Sequence, residues 1–248
     1  MDWSFLSTKK ISQVYYQYFC HQCYFCKIKS KQLICPHCLN GFTFNNQYCD
    51  SCKLPTSNTI ERCGQCQKSP PQYDLIVSPL VYSGFARALI TGLKFSSHYH
   101  ASHPLCQLLA EALKQTYHTS GSSKWPDVLI PVPSHVERIR ERGFCHMNLL
   151  SQHLITHLPK KIPINPQLLR KTQHLAPQHE RNKKQRHTLK ASSFICSQTV
   201  PDHVALFDDV VTTGSTIDAC ITKLKESGAK RVDVWSLART PPSDLRAD

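Results

Sequence analysis

A chain of 248 residues has room for one full globular domain and a small companion. Its hydrophobic content is 40%, yet no apolar run approaches the roughly 20 residues that a bilayer-spanning helix needs, which excludes an ordinary membrane-spanning protein. The opening MDWSFLSTKK lacks the charged-then-apolar layout of a secretory leader, so a cytoplasmic location without membrane insertion is expected. The formal net charge of +13 favours phosphate-rich partners, nucleic acid or a polyphosphorylated metabolite, although a basic surface can also serve solvation alone.

The first third is dominated by cysteine. Of the 13 cysteines, Cys20/Cys23, Cys35/Cys38, Cys49/Cys52 and Cys63/Cys66 form four C-x2-C pairs. Two residues between cysteines let a tight turn aim both sulfurs at one ion, and two such turns close a tetrahedral shell with no open position. In a reducing compartment this spacing points to structural metal rather than to disulfides. Zn(II) is the expected ion, one for each pair of turns, which brings the balance of charge to about +9. The intervals from Cys23 to Cys35 and from Cys52 to Cys63 are nearly equal, at 11 and 10 residues, which favours Cys20 in the first set. Cys26 lies at the same spacing beyond Cys23 and is the alternative ligand. His21 and His37 sit inside the turns and read as solvated loop residues. So small a region, poor in large apolar side chains, would draw its folding free energy from the metal.

QKSPPQYD, with Pro70 and Pro71, reads as a linker, giving a cysteine-rich domain over 1–70 and a larger one over 71–248. The larger one alternates strand and helix patterns. DLIVSPLVYS reads as a strand, ARALITGLK and LCQLLAEALKQTYH as helices, DVLIPVP as a strand, and about 148–158 as a helix. HVALFDD then reads as a buried strand, STIDACITKLKESG as an amphipathic helix ending at Gly228, and RVDVWSLAR as a closing strand. The order predicts a parallel sheet covered by helices. Residues 160–190 carry nine Lys and Arg against the single acid Glu180, with three prolines, and read as a basic hood or loop. Cys106, Cys145, Cys196 and Cys220 read as small packing residues.

The segment HVALFDDVVTTGSTIDAC is the most informative. An apolar strand ends at Asp208 and Asp209, and a short turn then opens a helix, whose exposed N–H groups and dipole favour an anion. Thr212, Thr213, Ser215 and Thr216 add hydroxyl donors, and Gly214 lets the backbone approach a phosphate closely. The two carboxylates can accept hydrogen bonds from vicinal sugar hydroxyls or hold Mg(II) through water. A ribose 5-phosphate has both features at this separation. Read without the strand and helix around it, the segment is also compatible with Asp and Thr as ordinary caps.

VALFDDVVTTGST resembles the phosphoribosyl-pyrophosphate (PRPP) motif of type I phosphoribosyltransferases. With the paired cysteine turns, LKF at 93–95, IPVPSHVERIRERGF at 130–144 and the ending SLART, the chain resembles the ComF/GntX group over almost its whole length. The resemblance implies a type I phosphoribosyltransferase-like parallel sheet flanked by helices, with a small N-terminal double zinc ribbon. It assigns Asp208 and Asp209 to the ribose hydroxyls and Thr212 to Thr216 to the 5-phosphate. Val132, Pro133 and Ser134, followed by Arg138 and Arg142, are assigned to pyrophosphate, and Mg(II) accompanies PRPP. Arg140 has Glu137 and Glu141 as alternative partners, and Lys94 also suits the end of a helix dipole. The role implied is in competence and DNA uptake, with single-stranded DNA along the basic segment, contacted by Arg181, Lys183, Lys184 and Arg186, and with other competence proteins as possible partners. Two departures leave enzymatic activity open: RGFCH, with Cys145 and His146, stands where the group has RGFNQ, and Leu189 stands where it has Asn. The alternative reading is an active PRPP-dependent (amido)phosphoribosyltransferase acting on a small amine or base.

Overall fold

Apolar residues spaced for burial on both faces dictate a parallel sheet here, and the computed structural model shows how the chain completes it. The structure describes residues 22–95, 99–119, 124–134, 139–140, 143–172 and 191–242. The chain divides into two compact units, Met1–Phe42 and Thr43–Asp248. The first contains a short helix, α1 (Pro36–Leu39). The second runs in the order α2 (Gly64–Lys68), β1 (Leu75–Val77), β2 (Leu80–Val81), α3 (Gly84–Phe95), α4 (Ser102–Thr119), β3 (Val128–Pro131) and α5 (His146–His157). It continues with β4 (Leu169–Lys171), β5 (Phe194–Cys196), β6 (His203–Val211), α6 (Ser215–Glu226) and β7 (Arg231–Arg239).

The main sheet has the order β1-β7-β6-β3, with β2 also paired to β7, and every described pairing within it is parallel. DLIVSPLVYS, expected as one strand, is broken at Ser78-Pro79, because proline cannot donate to the ladder; the two short pieces pair with successive parts of β7. Strand alternation sends Val204, Leu206, Val232 and Val234 into the core cluster that includes Ile217, Cys220, Ile221 and Leu224 of α6. Asp209 and Asp233, out of phase with them, meet residues of α3, α4 and α5 instead. Helices therefore cover both faces, as the alternating pattern requires.

α6 ends where its sequence stops it: Ser227 caps it and Gly228 follows at φ +112°, a conformation that favours glycine. α5 begins at His146, two residues before the expected start, and its Ser151 and Leu154 are buried. It packs on α4 partly through the stacked rings of His103 and His153, 3.8 Å apart. The antiparallel pair β4-β5 buries Leu169 and Phe194 and packs β5 against α6. Among the described residues no helix is long and apolar enough to cross a membrane.

At the amino end of β7 the buried Asp233 carboxylate accepts hydrogen bonds from Tyr117 Oη at 2.6 Å, His203 Nε2 at 2.8 Å and Arg231 Nε at 2.9 Å. Trp235 Nε1 in turn donates to Tyr117 Oη at 3.1 Å. Removing the acceptor leaves three donors without their common partner, so Asp233→Ala is expected to lower unfolding free energy by about 3 kcal/mol in urea titration.

Candidate functional site

Two tetrads of thiols come together, Cys23/Cys26/Cys35/Cys38 and Cys49/Cys52/Cys63/Cys66, the sulfurs of each within 4.8 Å of one another. Their local construction is the same. The residue after the first turn, Lys27 or Lys53, has positive φ (59° and 53°), and its N–H donates to the carbonyl of Cys23 or Cys49. Cys35 and Cys63 each precede a short helix, and their N–H groups donate to the sulfurs of Cys23 and Cys49 at 3.4 and 3.1 Å. The equivalence identifies Cys23/Cys26, not Cys20/Cys23, as the counterpart of Cys49/Cys52. Cys20 lies outside the described residues, and Cys26 supplies the fourth sulfur. The turn within a pair is the conserved geometry of the two tetrads, whereas the interval between pairs is free to vary.

The donor set fits a metal ion. Four sulfurs about 2.3 Å from a common centre lie about 3.8 Å apart along each edge. Cys26 and Cys35 Sγ are 3.7 Å apart and Cys52 and Cys63 Sγ 3.8 Å. Burial opposes ionisation of Cys23, but backbone donors from Cys35, Cys26 and Phe25 outweigh it and lower the thiol to about 6. Cys63, held similarly, falls to about 7. Cys38 in the first tetrad and Cys52 in the second are pushed the other way, chiefly by burial, and a cation at the common centre would favour the thiolate of each.

The second cluster of chemistry lies at the carboxyl ends of β3 and β6. Pro131 is in register with Phe207, and Val132 N–H donates to the Phe207 carbonyl at 2.8 Å, so 132–134 run out beside Asp208. Val132 is buried, with Pro133 and Ser134 half-buried. β6 then delivers Asp208 and Asp209, and the turn Thr212-Thr213-Gly214 leads into α6 at Ser215. Gly214 has φ +87° and serves as the N-cap, a backbone setting that any side chain would strain. Thr212 and Thr213 are exposed, Gly214, Ser215 and Thr216 half-buried, and the Thr213 and Ser215 hydroxyls are 3.1 Å apart.

The two carboxylates differ. Asp209 is 5% exposed and accepts from Lys94 Nζ at 2.8 Å and His146 Nε2 at 2.7 Å. Burial would raise its pKa, but His146 and Lys94 together hold it below the ordinary carboxylate value. Asp208 is half-buried; burial and then the neighbouring Asp209 charge raise its pKa to about 7, with Lys94 and the Asp209 N–H opposing. His146, one of the two residues that depart from RGFNQ, is buried against Asp209, and Lys94 reaches the same oxygen from the last turn of α3. Arg140 is exposed; Arg138, Arg142, Leu189 and the basic set Arg181, Lys183, Lys184 and Arg186 lie outside the described residues.

Arg239, the arginine of the SLART ending, to which the sequence assigned no role of its own, also reaches this region. Its side chain is 3% exposed; Nε donates to the Cys52 carbonyl at 3.1 Å, and Nη1 donates to the Val211 carbonyl at 2.8 Å and to the Thr212 carbonyl. Its partners are backbone carbonyls of distant segments, which leave no pattern of residue types.

Three outcomes follow from this geometry. A group with a raised folded-state pKa favours folding while it is protonated and opposes it once ionised, so the Asp208 contribution falls as pH rises from about 4 through about 7. Asp208→Asn is therefore expected to raise Tm more at pH 8 than at pH 5. Asp209, depressed in the folded state, contributes above the unfolded value, so Asp209→Asn is expected to lower Tm throughout that range. In metal analysis of the purified chain, Cys26→Ser and Cys52→Ser each are expected to lose one ion, whereas Cys20→Ser retains the native content.

No family model matches the chain. It is 31% identical over 208 residues to DNA utilization protein YhgH of Escherichia coli O157:H7, covering 84% of this chain and 90% of that one. It is 31% identical over 196 residues to competence protein F of Haemophilus influenzae, covering 77% and 84% respectively. A purine phosphoribosyltransferase from Pyrococcus horikoshii aligns over 56% of this chain and 72% of its own at 18% identity, with TM-score 0.30. The allosteric regulatory enzyme of purine biosynthesis aligns over 56% and 26% at 19% identity, with TM-score 0.35. At this level of identity, sustained over nearly the full length of its relatives, the chain belongs to the ComF/GntX family, together with competence protein F and DNA utilization protein YhgH.

Proposed function

We propose that this chain takes part in DNA uptake, binding single-stranded DNA and PRPP or a related ribose 5-phosphate through its larger, phosphoribosyltransferase-like domain, with Zn(II) held structurally by both cysteine tetrads. The carrying observation is the juxtaposition at the end of β6: a half-buried carboxylate, Asp208, followed within a few residues by the hydroxyl-rich turn at the start of α6. Ionised Asp208 is an acceptor for ribose hydroxyls, and Thr212 to Thr216 offer hydroxyl and backbone donors to a 5-phosphate. The names carried by relatives, DNA utilization and competence, support the DNA role. Net charge supports it as well.

An active phosphoribosyltransferase is the second reading, and the buried His146–Asp209 pair favours it. A nitrogen nucleophile would form its bond to the anomeric carbon as the carbon–oxygen bond to pyrophosphate breaks; pyrophosphate leaves with the electron pair, and the nitrogen gives up a proton. A histidine paired with a carboxylate can accept such a proton. Mg(II), when bound with PRPP, supplies neutralisation of the leaving group. The chain's own share is to hold the sugar and exclude alternative geometries.

Calorimetric titration with PRPP and Mg(II) tests the reading. The native protein is expected to bind, and Asp208→Asn with Asp209→Asn to abolish binding; absence of native binding overturns the sugar-phosphate site. In a parallel titration with single-stranded oligonucleotide, reversing Arg181, Lys183, Lys184 and Arg186 to Glu is expected to weaken binding and flatten its salt dependence. Release of pyrophosphate on adding candidate amines would establish the second reading.

A further inference from the structure

The second cysteine tetrad and the phosphate turn are joined by one side chain. Arg239, at the end of β7, donates from Nε to the Cys52 carbonyl and from Nη1 to the carbonyls of Val211 and Thr212. The first carbonyl belongs to the tight turn that aims Cys49 and Cys52 at their common centre; the others belong to the segment that enters the phosphate turn. Arg239 is 3% exposed and its guanidinium is planar, so its donors leave in fixed directions, and a shift of either backbone segment breaks a buried hydrogen bond. Cys52, Cys66, Tyr73, Thr213, Gly214 and Arg239 also line one cleft of about 170 Å³, so the tetrad and the turn face the same space. The tetrad is built within the larger unit, Thr43–Asp248.

The geometry points to Arg239 as a positioning residue for the phosphate turn, with the Cys49/Cys52/Cys63/Cys66 tetrad as the anchor from which it acts. Ribose 5-phosphate binding is then linked to the metal state of that tetrad. This rests on the sugar-phosphate reading given above. A guanidinium also keeps its charge when buried, so Arg239 places a fixed positive charge beneath the turn that receives the phosphate. Linkage is reciprocal: if the metal-bound tetrad orders the turn, a ligand on the turn must perturb the tetrad.

The experiment uses the full chain with Co(II) substituted at the tetrads, whose visible bands report thiolate geometry, titrated with ribose 5-phosphate. The native protein is expected to bind and to shift part of the cobalt spectrum at saturation. Arg239→Lys retains the charge but not the two-sided reach; it is expected to keep its full metal content, lose about tenfold in affinity, and show no spectral shift. If native protein binds with a silent spectrum, or Arg239→Lys matches native in affinity and shift, the linkage is overturned. If native protein does not bind ribose 5-phosphate at all, the sugar-phosphate reading falls and this inference falls with it. The spectral arm uses the native sequence, so it decides the question even if the lysine variant folds poorly.

Discussion

Burying the Asp209 carboxylate would cost several kcal/mol if it went uncompensated, and the larger unit is arranged around that fact. The compensation comes from two helices, each of which must end or begin in one place to supply it. α3 brings Lys94 in its last turn, and α5 brings His146 as its first residue. Because β6 alternates faces, the same strand that sends Asp209 toward these helices sends Leu206 into the core beneath α6. The carboxylate therefore fixes the two helices to the carboxyl edge of the sheet, where the phosphate turn also starts. Asp208, one residue earlier and without such partners, is left with its proton affinity raised.

The same economy governs the cysteine tetrads. In each, a left-handed lysine after the first turn and an N–H donated to the leading sulfur set the thiols about one tetrahedral edge apart. Lys53 also places its ammonium over the Tyr48 ring at 3.6 Å, covering a turn that has few large apolar residues of its own. These local rules repeat between the two tetrads although the interval that joins their halves differs.

Much of this was legible beforehand because it rests on short-range chemistry. The strand that carries Asp208-Asp209, the turn through Gly214 and the helix stopped at Gly228 each depend on residues adjacent in the chain, although the strand runs two residues past the carboxylates, to Val211. What escaped depends on contacts across the fold. The inward face of His146 is set by Asp209, 63 residues away, and the three carbonyl anchors of Arg239 are 187, 28 and 27 residues away. Spacing left Cys20 and Cys26 both open as a ligand of the first set, because equal intervals carry less physical content than turn conformation. The strand around Ser78-Pro79 divided because its proline has no N–H for the ladder.

The pair β4-β5 stands apart from the main sheet and has its own use. Its antiparallel register sets Lys171 opposite Phe194, so the chain leaves and re-enters at neighbouring points, and Phe194 is buried at that junction. In sequence, the second half of the basic stretch falls between those points. Doubling the length of such an excursion adds only about 0.6 kcal/mol of closure entropy. Lys171 and Phe194 thus fix where the excursion begins and ends, and its length bears on the stability of the larger unit only through this small closure term.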